Sequence, residues 1–305
     1  MSMTDTTTIA ARVVSVKPVV LPAPGRGEDL RVRVSAPATG RDLPVVVLSH
    51  GFGWSMDGYG PLADHWAAHG FVVVQPTHLD SRTLALPPDD PRTPLIWRWR
   101  VTDLTYVLDR LDAVEAAVPG LDGRLDRDRI AVAGHSWGGQ TASMLLGARV
   151  LDAAGRPGED LSDPRVRAGV LLATPGSGGA DLTPFAAEHF PFMNPDFTRM
   201  TTPALVVAGD QDRSALSVRG PDWFTDPYRL SPGGKSLLTL FGAEHSLGGI
   251  VGPGAAETTD ESPARVALIQ RLTTAYLRTA LDPGDPAWPA ACATEPGLLG
   301  RIETS

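Results

Sequence analysis

A single stretch of this 305-residue chain decides its fold: Ile130-Ala131-Val132-Ala133-Gly134-His135-Ser136-Trp137-Gly138-Gly139-Gln140. Its first four residues are all apolar, which is typical of a strand buried on both faces. Gly134 and Gly138 flank the serine at two residues' distance, as a sharp strand-to-helix turn requires, because a side chain at either place would collide with the turn. The stretch therefore predicts a strand, a turn and a helix, with Ser136 presented as a nucleophile at the start of the helix.

Short apolar, β-branched runs elsewhere predict further strands, and helical periodicity falls between most of them. The eight predicted strands are residues 12–21, 29–35, 44–49, 71–74, 129–133, 168–173, 204–208 and 236–241. The predicted helices are residues 59–69, 101–118, 137–150 and 263–281. Strands alternating with helices predict an α/β fold with a mostly parallel, doubly wound sheet and helices on both faces.

No repeat or long flexible linker divides the chain, so we expect a single domain, 1–305. Its core spans about 12–281, and 282–305 reads as a C-terminal tail. The long connection 174–202 is rich in aromatic residues and predicts either a short lid over a pocket or a loop with its own small core.

The net charge of −8 argues against a nucleic-acid partner. No apolar run reaches about 18 residues, so we expect no stable membrane insertion. Residues 1–11 are polar and show no secretory signal, which favours a cytoplasmic location. Cys292 is the only cysteine, so an intrachain disulfide is impossible.

A serine nucleophile needs a base to take its proton and an acid to orient that base. Behind a strand–Ser–helix turn of this kind, the acid and then the base follow the serine along the chain. His189 lies inside the long aromatic connection, whereas His245 follows the last predicted parallel strand, which makes His245 the predicted base. Asp210 and Asp212 both follow the preceding strand; Asp212 is favoured because Asp210, next to a glycine, suits a turn-forming role.

Acyl transfer also requires donors for the developing oxyanion. The backbone N–H of Trp137 and that of Phe52, in His50-Gly51-Phe52-Gly53-Trp54, are the predicted pair. Trp54 and Trp97 are predicted to contact an apolar substrate. His50 and His135 are expected to pack locally. His65 and His69 lie four residues apart on a helix but lack a third ligand, so we expect no metal and no cofactor.

Several motifs resemble the bacterial cutinase and polyester-hydrolase branch of the α/β-hydrolases, and also chlorophyllase-like and platelet-activating-factor-acetylhydrolase-like esterases. They are His50-Gly51-Phe52-Gly53, residues 62–74, residues 103–111, Gly134-His135-Ser136-Trp137-Gly138-Gly139 and Gly242-Ala243-Glu244-His245. The resemblance extends over about 44–281 and implies the α/β-hydrolase fold and a Ser-Asp-His triad. It also implies that the acid is the second aspartate of Gly209-Asp210-Gln211-Asp212.

Secreted polyester hydrolases usually carry a methionine after the nucleophile and a C-terminal disulfide, whereas this chain has Trp137 and one cysteine. These departures favour a carboxylic ester hydrolase acting on small or medium apolar or aromatic esters. The alternatives are a polyester hydrolase, a lipase or an acyltransferase that uses the same three residues. A binding module that has lost catalysis is disfavoured by the intact set of serine, acid and histidine.

Overall fold

The computed structural model describes residues 10–87, 89–253, 255–294 and 297–305. Within them the strands are β1 (Val13–Leu21), β2 (Leu30–Pro37), β3 (Leu43–Ser49), β4 (Val72–Pro76), β5 (Leu125–His135), β6 (Arg149–Val150), β7 (Val166–Leu172), β8 (Pro195–Asp196), β9 (Ala204–Gly209), β10 (Lys235–Leu240) and β11 (Gly300–Thr304). The segment 1–9, where the sequence predicts no secretory signal, lies outside the described residues.

The helices of the same residues lie mostly between strands. The α-helices are α1 (Gly60–Ala68), α2 (Ile96–Asp109), α3 (Leu111–Ala117), α4 (Trp137–Leu145), α5 (Pro184–His189), α6 (Asp226–Arg229), α7 (Pro263–Leu281) and α8 (Ala287–Thr294). Short 3-10 helices occur at Pro24–Arg26, Thr93–Leu95, Gly179–Asp181, Pro221–Thr225 and Gly297–Leu299. No described helix is both long and apolar enough to span a membrane.

Nine strands form one sheet in the order β1-β2-β4-β3-β5-β7-β9-β10-β11. The six strands from β4 to β10 pair in parallel, and antiparallel pairs occur only toward the two edges. The central strands are apolar on both faces because helices cover both; Val45, Val46 and Val47 are fully buried. The chain therefore has the predicted α/β-hydrolase fold, and the predicted site residues Ser136, Asp212 and His245 follow the ends of the parallel strands β5, β9 and β10.

The ninth strand is one that the sequence pattern did not reveal. β11 lies in the segment read as a C-terminal tail and pairs antiparallel with β10, with Leu238 opposite Ile302. Its residues, Gly-Arg-Ile-Glu-Thr, include only one large apolar side chain. Because an edge strand needs little apolar surface, its composition resembles that of a loop.

Two predicted helices are shorter in the structure. The helix expected over 137–150 ends at Leu145, because Gly147 adopts a φ of 112° and its backbone packs against Arg199. Residues 149–150 form β6, which pairs with β8 and ties the long connection 174–202 to the domain. The helix expected over 101–118 is divided at Arg110, whose ψ of 22° interrupts the helical path.

Candidate active site

Ser136 occupies a strained turn between β5 and α4. Its backbone has φ 56° and ψ −124°, a conformation that L-residues rarely adopt, and its N–H donates to the carbonyl of Leu172 on β7 at 2.9 Å. A Cβ at Gly134 would overlap the carbonyl of Gly138, and a Cβ at Gly138 would overlap the carbonyl of Ser49. The glycine spacing noted in the sequence thus follows from close backbone approach on both sides of the serine.

The structure brings Ser136, His245 and Asp212 into one hydrogen-bonded line. His245 Nε2 lies 2.9 Å from Ser136 Oγ, and His245 Nδ1 lies 2.9 Å from Asp212 Oδ2. A carboxylate can only accept, so Nδ1–H donates to Asp212 and the Nε2 lone pair accepts from the serine hydroxyl. The Asp212 side chain is fully buried, whereas that of His245 is 42% exposed and faces the cleft. In this arrangement His245 Nε2 is placed to take the proton of the Ser136 hydroxyl.

Asp210 and Asp212 differ in what their carboxylates contact. Asp210 Oδ1 accepts the backbone N–H of Gly242 at 2.7 Å, which stabilises the turn before His245. Burial raises the pKa of Asp212, and the hydrogen bond and charge of His245 act in the opposite direction. Asp212 Oδ1 has no hydrogen-bond partner among the described residues, so His245 supplies the polar contact of this carboxylate.

The two predicted oxyanion donors lie at the same end of the sheet as Ser136. Trp137 is the first residue of α4, and Phe52 lies in the turn that follows β3. Their rings contact each other with centroids 4.6 Å apart. Within the part of the chain that the structure describes, no acceptor is bonded to either backbone N–H. Both N–H groups are therefore available to donate to the carbonyl oxygen of a substrate bound at Ser136.

A buried ion pair holds the turn that carries Phe52. Arg100 Nη1 lies 2.7 Å from both carboxylate oxygens of Asp80, and Arg100 Nη2 donates to the carbonyl of His50. Asp80 Oδ2 in turn accepts the N–H of Gly53 at 3.3 Å. Burial acts to raise the pKa of Asp80, but Arg100 outweighs it and lowers that pKa to about 2. The charged pair thus contacts the backbone on both sides of Phe52.

A second buried chain of hydrogen bonds connects the Phe52 turn with the loop of His245. The N–H of Gly51 donates to the Tyr59 hydroxyl at 3.0 Å, and that hydroxyl lies 2.8 Å from His135 Nδ1. His135 Nε2 lies 2.8 Å from the carbonyl of His245. The carbonyl must accept, so Nε2 carries the proton and Tyr59 O–H donates to Nδ1. Burial and the nearby His245 lower the pKa of His135 to about 3, which keeps the imidazole neutral.

Asp260 also supports the loop of His245. Its Oδ2 accepts the backbone N–H groups of Glu244 and Gly248, each at 2.9 Å, one on either side of the histidine. The sequence pattern did not indicate these roles for Asp260, Tyr59, Asp80 and Arg100, and it predicted only local contacts for His135. One signal was present in the sequence: a charged or hydroxyl-bearing residue set among apolar ones, such as Arg100 beside Val101.

Two cavities open beside Ser136. The smaller, of about 390 Å³, is lined by Ser136 and His245 together with apolar side chains. The larger, of about 740 Å³, adjoins the smaller cavity. Neither is lined by Trp54 or Trp97, which the sequence predicted to contact substrate. Trp54 Nε1 instead donates to Glu257 at 2.6 Å, and Trp97 stacks on Phe192.

The connection 174–202 forms part of both cavities, as expected for a covering segment. It contributes Phe185 and Met193 to the smaller cavity and Phe192 to the larger, while Phe190 lines both. Within it, α5 begins at Pro184 after Thr183, whose hydroxyl accepts the N–H of Ala186. Three phenylalanines of this segment therefore line the cavities beside the serine, whereas Phe197 is buried and lines neither.

His65, on α1, and His69, the residue that follows its last turn, contact each other. The rings of His65 and His69 stack with centroids 4.0 Å apart, and His69 Nδ1–H donates to the carbonyl of His65 at 2.6 Å. Across residues 10–87, 89–253, 255–294 and 297–305, no group of three His, Cys, Asp or Glu side chains is arranged to hold a metal ion.

The Chlorophyllase family model matches residues 9–151, slightly less than half of the chain. The matched part includes Phe52, Ser136 and Trp137 and ends before Asp212 and His245. No curated protein matches the chain. The fold and the Chlorophyllase match together support assignment of the chain to a hydrolase family of the α/β-hydrolase type.

Proposed function

We propose that the protein is a carboxylic ester hydrolase in which Ser136 is the nucleophile, His245 the base and Asp212 the acid. The observation that carries the proposal is a pair of 2.9 Å hydrogen bonds: His245 Nδ1–H donates to Asp212, and the Ser136 hydroxyl donates to His245 Nε2. The Chlorophyllase match supports ester hydrolysis as the reaction class.

The chemistry has two halves. His245 Nε2 takes the serine proton as Ser136 Oγ attacks the ester carbonyl carbon, and the oxyanion accepts the N–H groups of Phe52 and Trp137. His245 then gives the proton to the alcohol oxygen as the carbon–oxygen bond breaks, which leaves an acyl group on Ser136. Water, deprotonated by His245, attacks that acyl group; Ser136 recovers the proton and the carboxylic acid departs. Asp212 stabilises the imidazolium that forms in both halves.

The substrate we propose is a small or medium ester with apolar or aromatic parts. The 390 Å³ cavity around the serine is lined by side chains such as Phe185, Leu216 and Phe224. A pocket of this size and character suits an apolar group of modest size.

The experiment combines turnover with active-site labelling. We expect hydrolysis of p-nitrophenyl butyrate and covalent labelling by a fluorophosphonate, both abolished in Ser136→Ala. Mass spectrometry of the labelled peptide should assign the adduct to Ser136. Ser231→Ala serves as the matched control and should retain both, because the Ser231 hydroxyl donates to the carbonyl of Pro227 and lines neither cavity. A protein that neither turns over esters nor takes up the label would contradict the proposal, and full activity in Ser136→Ala would contradict the assigned nucleophile.

A further inference from the structure

The two cavities beside Ser136 share a wall of three aromatic rings. Phe52, Trp137 and Phe190 line both of them. Trp137 lies at the centre, with the Phe52 centroid 4.6 Å away and the Phe190 centroid 5.1 Å away in an edge-to-face arrangement. Phe52 is 49% exposed although it is wholly apolar. The rings therefore divide one cleft into two compartments and leave apolar surface facing both.

The compartments differ in their relation to the reacting groups. The 390 Å³ compartment is lined by both Ser136 and His245. The 740 Å³ compartment is lined by neither, but it reaches the two residues whose backbone N–H groups form the proposed oxyanion site, Phe52 and Trp137. The smaller compartment thus contains His245 together with the oxyanion residues, whereas the larger one adjoins the oxyanion residues only and lies away from His245.

The position of the proton donor, His245 Nε2, decides how an ester would lie across the two compartments. The alcohol oxygen must take its proton from His245 Nε2, so it has to be within hydrogen-bond reach of that atom. The acyl chain is attached to the same carbonyl carbon but points away from the leaving oxygen. The alcohol part therefore belongs on the histidine side and the acyl part on the other side.

On the basis of the proposed function, we propose that the 390 Å³ compartment binds the alcohol of the ester and the 740 Å³ compartment binds its acyl chain. The alcohol compartment is closed in by Phe185, Leu216 and Phe224, which suit a compact apolar or aromatic alcohol. The acyl compartment has about twice the volume. Leu86, Ile96 and Phe192 give it apolar surface, and charged side chains also line it, among them Arg82, Asp90 and Glu188. The preferred substrate class is an ester of a compact apolar alcohol with a longer, mainly apolar acid.

The test uses the same substitution in each compartment. Leu86 lines only the larger compartment and Leu216 only the smaller, and both are partly buried leucines packed against the core. Leu86→Trp and Leu216→Trp are each assayed for kcat/KM with ethyl octanoate, which has a long acyl chain, and with 2-naphthyl acetate, which has a bulky alcohol. Each variant is compared with the unmodified protein on the same substrate, so differences in leaving-group reactivity cancel.

We expect Leu86→Trp to lower kcat/KM for ethyl octanoate at least tenfold and to leave 2-naphthyl acetate within about twofold. Leu216→Trp should do the reverse. The opposite pattern would exchange the two assignments and overturn the proposal, as would equal losses on both substrates or no loss on either. Retained activity on one substrate shows that a variant is folded. If a tryptophan variant does not fold, the corresponding phenylalanine variant, Leu86→Phe or Leu216→Phe, takes its place.

Fluorophosphonate labelling of Ser136 separates this proposal from the proposed function. The probe reacts with an activated serine whatever the compartments bind. Loss of labelling in the unmodified protein would contradict the proposed function itself, whereas normal labelling with the wrong substrate pattern would contradict only the compartment assignment.

Discussion

At the scale of single residues, Asp210 and Asp212 lie two positions apart and contact different groups. We expect Asp212→Asn to lower kcat by about 10³- to 10⁴-fold, because an amide there no longer stabilises the imidazolium of His245. Asp210→Asn keeps an oxygen acceptor for Gly242 and should lower kcat less than about fivefold, as a turn residue would. Steady-state kinetics on p-nitrophenyl butyrate measures both. A greater loss in Asp210→Asn would reverse the assignment of the acid.

His135 should make the folded protein sensitive to acid. Its pKa of about 3 in the folded state lies below the ordinary histidine value of about 6.5, so between these values the unfolded chain binds a proton that the folded chain does not. The free energy of unfolding therefore falls as pH drops through this window, by roughly 2 kcal/mol between about pH 6.5 and pH 5. Urea unfolding at both pH values should show a smaller fall in His135→Gln, which cannot titrate. Equal falls in the two proteins would contradict this prediction.

At the scale of elements, Tyr59 connects the turn after β3 with the loop after β10 through Gly51 and His135. We expect Tyr59→Phe to lower kcat by roughly tenfold or more with little change in KM, because the two loops lose their shared hydrogen bonds. The unpaired N–H of Gly51 should also cost about 1–3 kcal/mol of stability.

Tyr276 is the matched control for this substitution. It is buried, and its hydroxyl has no hydrogen-bond partner in the described part of the chain. Tyr276→Phe should therefore leave kcat unchanged and leave stability unchanged or slightly higher. If Tyr59→Phe loses stability but keeps its full kcat, the contact is structural only and the positioning role is wrong.

At the scale of the whole molecule, the end of the chain closes one edge of the sheet. Ser305 N–H donates to the carbonyl of Lys235 at 3.0 Å. Because hydrogen-bonded positions alternate along an antiparallel strand, the N–H of Glu303 also faces β10, whereas that of Thr304 faces outward. We expect Glu303→Pro to lower the free energy of unfolding by about 1–3 kcal/mol and Thr304→Pro to lower it less. Denaturant unfolding of both variants checks this; equal effects would show that the β10 edge does not depend on the pairing.

Much of this protein could be predicted from local sequence. The α/β-hydrolase fold follows from apolar strands alternating with amphipathic helices, and each of the eight predicted strands is present in the sheet. The turn at Ser136 could be predicted because its glycine spacing is a local pattern: a Cβ at Gly134 would overlap the carbonyl of Gly138 in the same turn. His245 could be singled out because chain order left one histidine beyond the last parallel strand.

Other features depended on tertiary structure. Both Asp210 and Asp212 follow β9, and only the packing of the loop after β10 determines which carboxylate reaches His245. The hydrogen bonds of Tyr59 with His135 and the aromatic divide between the cavities join residues that are many positions apart. Local sequence determines which conformations a segment can adopt, because sterics and periodicity act over a few residues. Contacts between distant side chains depend on how the finished elements pack, so only the folded molecule decides them.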